Sequence, residues 1–264
     1  MSKRTIYISQ PVTGEDEWQA TQEPIMSGWL TAGPKVREFE ELFSKRHKVD
    51  HALAVTSATT ALHLALVALE IRPGDEVIVP AFTWVSTANV VEYCGAKVIF
   101  ADINSRTFNI DPESVRDKLT ENTKAIIAVH LFGYCADMVA LKQIAGTIPI
   151  IEDAACAAGA SLNGVPAGGL GDIGCFSFHP RKSITTGEGG MITTNNETYA
   201  SLMGMLRNHG ASLSEEQRHH GPRPYFLPEF NLLGFNYRMT DLQGSVGCVQ
   251  IKKLDQFIDE RAKW

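Results

Sequence analysis

The chain has 264 residues, and 44% of them are apolar, which is enough for one large domain or two small ones with a buried core. Its 24 basic and 30 acidic side chains give a net charge of −6, and a charged fraction of 20% is too ordinary for a disordered chain. No long run of Lys and Arg is present, which argues against nucleic acid or an anionic membrane surface as the main partner. The apolar stretches are strand-sized, so we expect no transmembrane helix and no membrane partner.

The N-terminus and the cysteines indicate where the protein works. Residues 1–11 contain two basic side chains but no apolar region behind them, so they do not form a signal peptide. The five cysteines are an odd number, scattered and without a C-x-x-C pair, which argues against a disulfide framework or a zinc knuckle and favours a reducing compartment. We therefore predict a soluble cytoplasmic globular protein, and an enzyme.

Between residues 50 and 195, short β-rich runs alternate with helical patterns. The predicted strands are Ala52–Val55, Glu76–Val79, Lys97–Asp102, Ala125–Leu131, Pro149–Glu152, Gly174–Phe178 and Met191–Thr194. Helices are predicted at Ser86–Tyr93, Pro112–Leu119, Met138–Ala145 and, from the helical spacing of Leu62, Ala65, Leu66 and Leu69, as an amphipathic helix that stops at Arg72-Pro73-Gly74. Strands that are apolar throughout suit a sheet covered on both faces. The prediction is an α/β fold with a mostly parallel sheet flanked by helices.

In such a fold the chemistry is expected in the crevice at the carboxyl ends of the strands. Polar residues do follow the predicted strands: Thr56, Ser57, Asp102, His130, Glu152, Asp153, Ser177 and His179. A glycine pattern nearby, Gly169-x-Gly171-x-x-Gly174, matches the dinucleotide-binding fingerprint as a string of letters. That fingerprint requires a preceding strand and a following helix, whereas a strand follows here, so we interpret it as a glycine-rich loop.

Three features near strand ends each have both a purely structural and a functional interpretation. The strand–hydroxyl–helix segment Ala52–Leu62 either binds a phosphate at a helix N-terminus or merely places Ser57 as a helix cap. Asp153 either caps a following helix or holds a cationic ligand. Lys182 is either a solvated loop residue or a nucleophilic amine that forms a Schiff base with a carbonyl cofactor.

Taken together, the three features match the requirements of pyridoxal phosphate (PLP). Its phosphate needs a helix N-terminus, its pyridinium nitrogen needs an acid, and its aldehyde needs a lysine amine. Trp84 offers a flat face against the cofactor ring. A position in the core or at an interface is the alternative interpretation of this aromatic residue.

At these residues the chain resembles the DegT/StrS (DnrJ/EryC-type) family of PLP-dependent nucleotide-sugar aminotransferases, which have the aspartate aminotransferase fold of type I. The similar stretches follow the family order over nearly the whole chain. They are residues 27–40 (SGWLTAGPKVREFE), 56–66, 74–91, 100–112, 123–133, 150–160, 176–191 (FSFHPRKSITTGEGGM), 207–210 (RNHG) and 234–247 (GFNYRMTDLQGSVG).

The resemblance implies roles for individual residues. Lys182 matches the Schiff-base lysine and Asp153 the acidic partner of the pyridine nitrogen, so these two are the expected catalytic residues. Cys156 stands near the cofactor's 3-oxygen, where the family usually has Gln or His, and a thiol is a weaker donor there. The other expected cofactor contacts are Ala58 (through its backbone), Thr59 and Ser177 at the phosphate, Trp84 stacked on the ring, and Asn236 reaching the phosphate of the neighbouring subunit.

The resemblance also implies an assembly and a domain plan. A residue that acts in the neighbour's site implies a homodimer with shared active sites. Residues 1–240 are expected to form the large PLP-binding domain. Residues 241–264 are expected to begin the helix that leads, in the family, to a small C-terminal domain, so this chain is either a fragment or lacks that domain.

The implied reaction is transamination of a nucleotide-linked keto-sugar, with glutamate as the usual amino donor, in the biosynthesis of amino sugars for surface polysaccharides or antibiotics. One alternative is a related PLP-dependent sugar dehydratase, but those enzymes have histidine in place of the lysine. A second alternative is a PLP-binding partner or sensor without turnover. The sugar, the nucleotide and the aminated carbon are not specified by any motif.

Overall fold

The computed structural model describes residues 9–263; residues 1–8, which make up most of the segment tested for a signal peptide, and Trp264 lie outside it. The helices are α1 (Glu15–Ala20), α2 (Gln22–Ser27), α3 (Pro34–His47), α4 (Ala58–Ala68), α5 (Ser86–Tyr93), α6 (Pro112–Lys118), α7 (Met138–Ala145), α8 (Glu197–Leu206), α9 (Glu215–His220) and α10 (Asp241–Ala262). The strands are β1 (His51–Val55), β2 (Glu76–Pro80), β3 (Lys97–Ala101), β4 (Thr123–Val129), β5 (Ile150–Asp153), β6 (Ser161–Leu162), β7 (Val165–Pro166), β8 (Ile173–Ser177) and β9 (Gly190–Thr194). Within residues 9–263, every helix falls short of the combined length and apolarity that crossing a membrane requires.

Seven of the strands form one sheet in the order β1-β9-β8-β5-β4-β2-β3. Strand β9 is antiparallel to both of its neighbours, and the remaining pairs are parallel. Strands β6 and β7 form a separate short hairpin. The predicted α/β fold with a mostly parallel sheet is therefore confirmed, and the seven predicted strands are its seven strands.

The core consists of two apolar layers, one on each face of the sheet. Neighbouring residues of one strand enter opposite layers, as with Ile126 and Ile127 of β4, because side chains alternate across a strand. Helices α3, α6, α7 and α10 cover one face, and α4, α5 and α8 cover the other. Coverage on both faces explains why strands β2, β5, β8 and β9 are buried along their whole length.

The structure corrects the description of the helix after β1. It is present as α4, but residues 61–66 are all buried, so it is not amphipathic. Sheet strands β8 and β9 contact it on one side, and α5 and α8 on the other. It also ends at Ala68, before the predicted stop, because the backbone turns at Glu70, whose φ is 58°.

Helix α3 was not among the predicted helices, and it is held by the chain's last helix. The Asp241 carboxylate, at the start of α10, accepts hydrogen bonds from the amides of Gly33 (2.8 Å), Lys35 (3.2 Å) and Val36 (3.0 Å). Gly244 and Gly247 allow the two helices to approach closely: a Cβ on Gly247 would lie 2.6 Å from the Phe39 ring. The first turns of α10 therefore pack within the body that carries the sheet.

Candidate active site

Except for Asn236, the predicted site residues gather at the carboxyl ends of the strands, around β5 and β8 and beside the N-terminus of α4. Asp153 pairs with Cys175 across β5 and β8, and Ser177 pairs with Gly190 across β8 and β9. Gly190 in turn touches the start of α4, since a Cβ there would lie 2.4 Å from the carbonyl carbon of Ser57 and 2.8 Å from the amide nitrogen of Ala58. Strand pairing thus brings the carboxylate, the hydroxyl and the helix terminus to one edge of the sheet.

Asp153 is the last residue of β5 and is 5% exposed. Its carboxylate accepts hydrogen bonds from the Thr87 hydroxyl (2.9 Å) and from the Ala155 amide (3.2 Å). No helix follows within residues 154–160, so the alternative that Asp153 is a helix cap is wrong. Sequence reasoning missed Thr87, whose hydroxyl on α5 points at a strand end far away in the chain.

Burial removes water from the Asp153 carboxyl and so changes its pKa. Desolvation by burial raises the pKa of the Asp153 carboxyl above its ordinary value of 3.8. The hydrogen bonds from Thr87 and Ala155, and the positive charge of Lys182, lower the pKa but do not outweigh burial. A second positive charge placed against this carboxylate would offset the cost of burying it.

Lys182 lies half-buried in the turn that follows β8, where its amide donates to the His179 carbonyl (2.8 Å). Its amine is 3.1 Å from the sulfur of Cys156, an exposed free thiol. The Lys182 amine and the Cys156 sulfur are therefore in contact, and the positive charge of Lys182 acts to lower the pKa of the Asp153 carboxyl.

The N-terminus of α4 keeps two amides open. The Ser57 side chain caps the helix by accepting from the Thr60 amide (3.1 Å), and the Thr60 hydroxyl accepts from the Ser57 amide (3.0 Å). The cap interpretation of Ser57 is thus correct. It does not use the amides of Ala58 and Thr59, which find no acceptor among residues 9–263. Two free N–H groups at the positive end of a helix dipole form an anion-binding position.

Two further predicted contacts lie at the same edge. Ser177 is buried at the end of β8, and its hydroxyl accepts from the His179 amide (3.3 Å). Trp84 precedes α5 and is 73% exposed, which excludes the core interpretation of this ring. Its carbonyl accepts from the amide of Thr87, the residue that contacts Asp153.

Asn236 is not brought to this cluster within the chain. It is exposed and forms an isolated antiparallel bridge with Asn208 in the segment that returns alongside β1. Within residues 9–263, its side chain makes no hydrogen bond to Lys182, Asp153 or Ser177.

Gly169 and Gly171 lie in a glycine-rich loop between β7 and β8, as predicted, while Gly174 lies on β8 itself, and this loop binds an internal carboxylate. Glu152 accepts hydrogen bonds from the amides of Gly168 (2.7 Å) and Gly171 (2.5 Å). A strand follows the loop, so the dinucleotide-binding geometry is not formed. In the described part of the chain, no group of three His, Cys, Asp or Glu side chains is arranged to hold a metal ion.

Comparison with known proteins identifies the family. Residues 11–264 match the model of the DegT/DnrJ/EryC1/StrS aminotransferase family. The chain belongs to this family. It is 41% identical over 261 residues to a GDP-perosamine synthase from Caulobacter vibrioides, a match that covers 98% of this chain and 67% of the relative.

Solved structures agree with the fold. An aminotransferase from Psychrobacter cryohalolentis superposes with a TM-score of 0.88 at 35% identity, covering 94% of this chain and 64% of that one. A sugar aminotransferase structure from Streptococcus pneumoniae, in its PMP form, superposes with a TM-score of 0.91 at 31% identity, covering 98% and 70%. The same protein is also known in a PLP form, so this is the fold of the PLP-dependent sugar aminotransferases. The chain spans about two thirds of the length of these relatives.

Proposed function

We propose that this chain is the cofactor-binding part of an enzyme that transaminates a nucleotide-linked keto-sugar, with pyridoxal phosphate as cofactor and glutamate as amino donor. The observation that carries the proposal is the convergence of an amine, a buried carboxylate and an open helix N-terminus at one edge of the sheet. The family assignment supports the reaction class, and the relative from Caulobacter, a GDP-perosamine synthase, supports a nucleotide-linked sugar.

The described residues fit the cofactor part by part. The open amides of Ala58 and Thr59, with the hydroxyls of Thr59 and Ser177, suit the phosphate group. The desolvated carboxylate of Asp153 suits a protonated ring nitrogen, and the exposed face of Trp84 suits stacking on the ring. When bound, pyridoxal phosphate supplies an electron-withdrawing ring that eases removal of a proton from the carbon bearing the amine.

The chain's own residues then have separate tasks. Lys182 would hold the cofactor's aldehyde carbon through a Schiff base, leave it when an amine arrives, and carry the proton between Cα of the donor and C4′. Asp153 would hold the proton on the ring nitrogen. Cys156, whose sulfur contacts the Lys182 amine, would lie beside the 3-oxygen as a weak donor.

A homodimer with shared sites is part of the proposal. Asn236 is exposed, and we assign it to the phosphate of a neighbouring subunit. The segment that leads to it carries large apolar side chains in solvent, with Leu227 80% and Leu233 92% exposed. Clustered exposed apolar side chains mark protein interfaces, and a second copy of this chain is the partner proposed here.

The proposal also keeps the predicted domain plan and location. Residues 1–240 would form the large domain, and residues 241–264 would lead into a small C-terminal domain in the longer relatives. The cytoplasm is the proposed location, because all five cysteines are free thiols, as is usual in a reducing compartment. The dehydratase and the non-catalytic binder are not favoured, because lysine stands at position 182 and the matching family and solved structures are named aminotransferases.

The test is an absorption spectrum of the PLP-loaded protein with and without glutamate. The proposal expects a visible band from the lysine-bound cofactor that glutamate converts to the pyridoxamine absorbance, followed by regeneration with a keto-sugar. A panel of UDP-, GDP- and dTDP-linked keto-sugars would then identify the acceptor. A band that glutamate never converts would indicate a binder, and the absence of any band would refute the cofactor assignment.

A further inference from the structure

Two ionisable side chains that the proposed mechanism does not use are completely buried behind the site. His130 follows β4 and Glu152 precedes Asp153 on β5, and both are 0% exposed. The His130 Nε2 atom lies 2.8 Å from a carboxylate oxygen of Glu152. Burying two ionisable side chains costs free energy unless their polar atoms are hydrogen-bonded. The hydrogen-bond partners of the pair therefore identify the segments that it connects.

The contacts of His130 determine where its proton lies. The amide of Ala136 donates to Nδ1 at 3.1 Å, and a backbone N–H can only donate, so Nδ1 carries no proton. The proton is therefore on Nε2, from which His130 donates to Glu152. In this state His130 is a neutral ring that connects the segment after β4 to β5.

Glu152 extends the connection to the glycine-rich loop. Besides the bond from His130, its two oxygens accept from the amides of Gly168 and Gly171, so the carboxylate has three donors. The loop reaches it because position 171 has no side chain: a Cβ there would lie 2.6 Å from the Ile150 carbonyl oxygen. The glycine pattern thus serves to bind the chain's own carboxylate.

His130 and Glu152 are both joined to Asp153 through the backbone. Glu152 and Asp153 are consecutive on β5, with side chains on opposite faces of the strand. The backbone amide of His130 also donates to the Asp153 carbonyl at 3.0 Å, and the next amide, of Ala154, donates to the Cys175 carbonyl at 2.9 Å. The end of β5 is therefore held from the β4 side, the β8 side and the loop.

We propose that His130 and Glu152 are positioning residues that hold the Asp153 carboxylate in line with the ring nitrogen of the bound cofactor. The inference rests on the proposed function, since it takes the cofactor to be pyridoxal phosphate. A buried carboxylate that must face one atom of a rigid ring tolerates little movement, because small displacements of such groups are costly. The titratable groups around Asp153 are Lys182, His130, Glu152 and the buried Cys175.

The experiment compares two buried histidines. His130→Phe keeps a ring but removes both of its hydrogen bonds, whereas His47→Phe changes another 0% exposed histidine, which stacks on Phe43. Wild type and both variants are loaded with PLP labelled with ¹⁵N at the ring nitrogen. Three quantities are measured: the Kd for PLP, the pH dependence of the ¹⁵N chemical shift, and the Tm of the apo protein.

We expect His130→Phe to raise the Kd by about tenfold or more and to make the ring nitrogen lose its proton at a lower pH than in wild type. His47→Phe removes a buried ring nitrogen that has no hydrogen-bond partner among the described residues, and it should leave the Kd and the ¹⁵N titration within about twofold of wild type. A folded His130→Phe protein with wild-type Kd and titration would overturn the inference. A His47→Phe protein with the same changes in Kd and ¹⁵N titration would also overturn the inference, because the effect of His130→Phe would then reflect a general loss of stability.

A second variant covers the case in which His130→Phe does not fold. In Glu152→Gln the new amide group must face either the Gly171 N–H or the Nε2–H of His130, which sets two donors against each other and displaces the end of β5. The same ¹⁵N titration should shift in the same direction, and an unshifted titration would overturn the inference. Failure of the wild-type protein to bind PLP at all would instead refute the proposed function.

Discussion

Replacing Asp153 by Asn should slow the reaction without lowering the stability of the apo protein at pH 7. The oxygen of the new side chain can accept from the Ala155 amide as the carboxylate does. Its amino group can donate to the Thr87 hydroxyl, which can turn its own proton to Thr83, 3.2 Å away. The Asp153→Asn substitution would therefore leave no buried polar atom unpaired, and the shape of the site would be kept.

The sign of the stability change follows from the pKa of Asp153. Because burial raises the pKa above 3.8, the folded apo protein holds this proton more tightly than the unfolded chain does. The apo wild type therefore loses stability as the pH rises from 3.8 through the raised pKa. At pH 7 the apo Asp153→Asn protein should have a Tm equal to or above that of wild type, and the difference should disappear near pH 3.

The catalytic effect should run the other way. Losing a charge interaction that is used in the transition state commonly costs about 3–4 kcal/mol, or roughly two to three orders of magnitude in rate. The assay is the single-turnover rate of the glutamate half-reaction, with cofactor occupancy checked by absorbance. A fully loaded variant that reacts within about threefold of wild type, a difference below ~1 kcal/mol, would show that Asp153 serves only the turn at Ala155.

Three other substitutions test the remaining parts of the site. Lys182→Ala should abolish the band of the lysine-bound cofactor and turnover with little change in apo Tm, and borohydride reduction of wild type followed by peptide mapping should label Lys182 and no other lysine. Asn236→Ala should weaken cofactor retention; mixing it with Lys182→Ala subunits should restore part of the activity, and confirmed mixed dimers that stay inactive would contradict shared sites. Gly190→Ala should weaken PLP binding at the N-terminus of α4 in a protein that still folds.

The sheet was predictable because its strands are short, apolar and separated by clear stop signals. Buried strands such as β2 and β8 need no partner information to be recognised, and the small-hydroxyl segment before α4 marks a strand-to-helix turn by composition alone. Helix α3 carries comparable signals, with Pro34 at its first position and Val36, Phe39 and Phe43 on one face. It lies before residues 50–195, the region in which β-rich runs alternate with helical patterns.

From the sequence, the candidate site could be predicted only as a set of polar residues at strand ends and through the resemblance to a family. The contacts among its residues could not be predicted. The contact between Thr87 and Asp153 joins residues 66 positions apart, and Glu152 binds glycine amides 16 and 19 positions away. No local pattern encodes such pairs, because strand order and loop packing decide them. The glycine-rich loop shows most clearly what the sequence alone does not reveal: the amides of Gly168 and Gly171 do bind a carboxylate, but it belongs to Glu152 of the same chain.

The chain's own carboxylates fill two anion-binding positions, Asp241 at α3 and Glu152 at the glycine-rich loop. At the N-terminus of α4 the amides of Ala58 and Thr59 find no acceptor among residues 9–263, and we assign them to the phosphate. Gly190→Ala tests that assignment, because the new methyl group would lie within 2.8 Å of backbone atoms of Ser57 and Ala58 and force the helix start to move. Overpacking of this kind costs about 1–3 kcal/mol of folding free energy. Affinity for PLP should fall by at least about tenfold, because the two open amides would no longer converge on the phosphate. Gly204→Ala is the matched control, since a Cβ at that position within α8 meets nothing within 4 Å. Equal PLP affinity in the two variants, measured alongside urea unfolding of each apo protein, would show that the phosphate lies elsewhere.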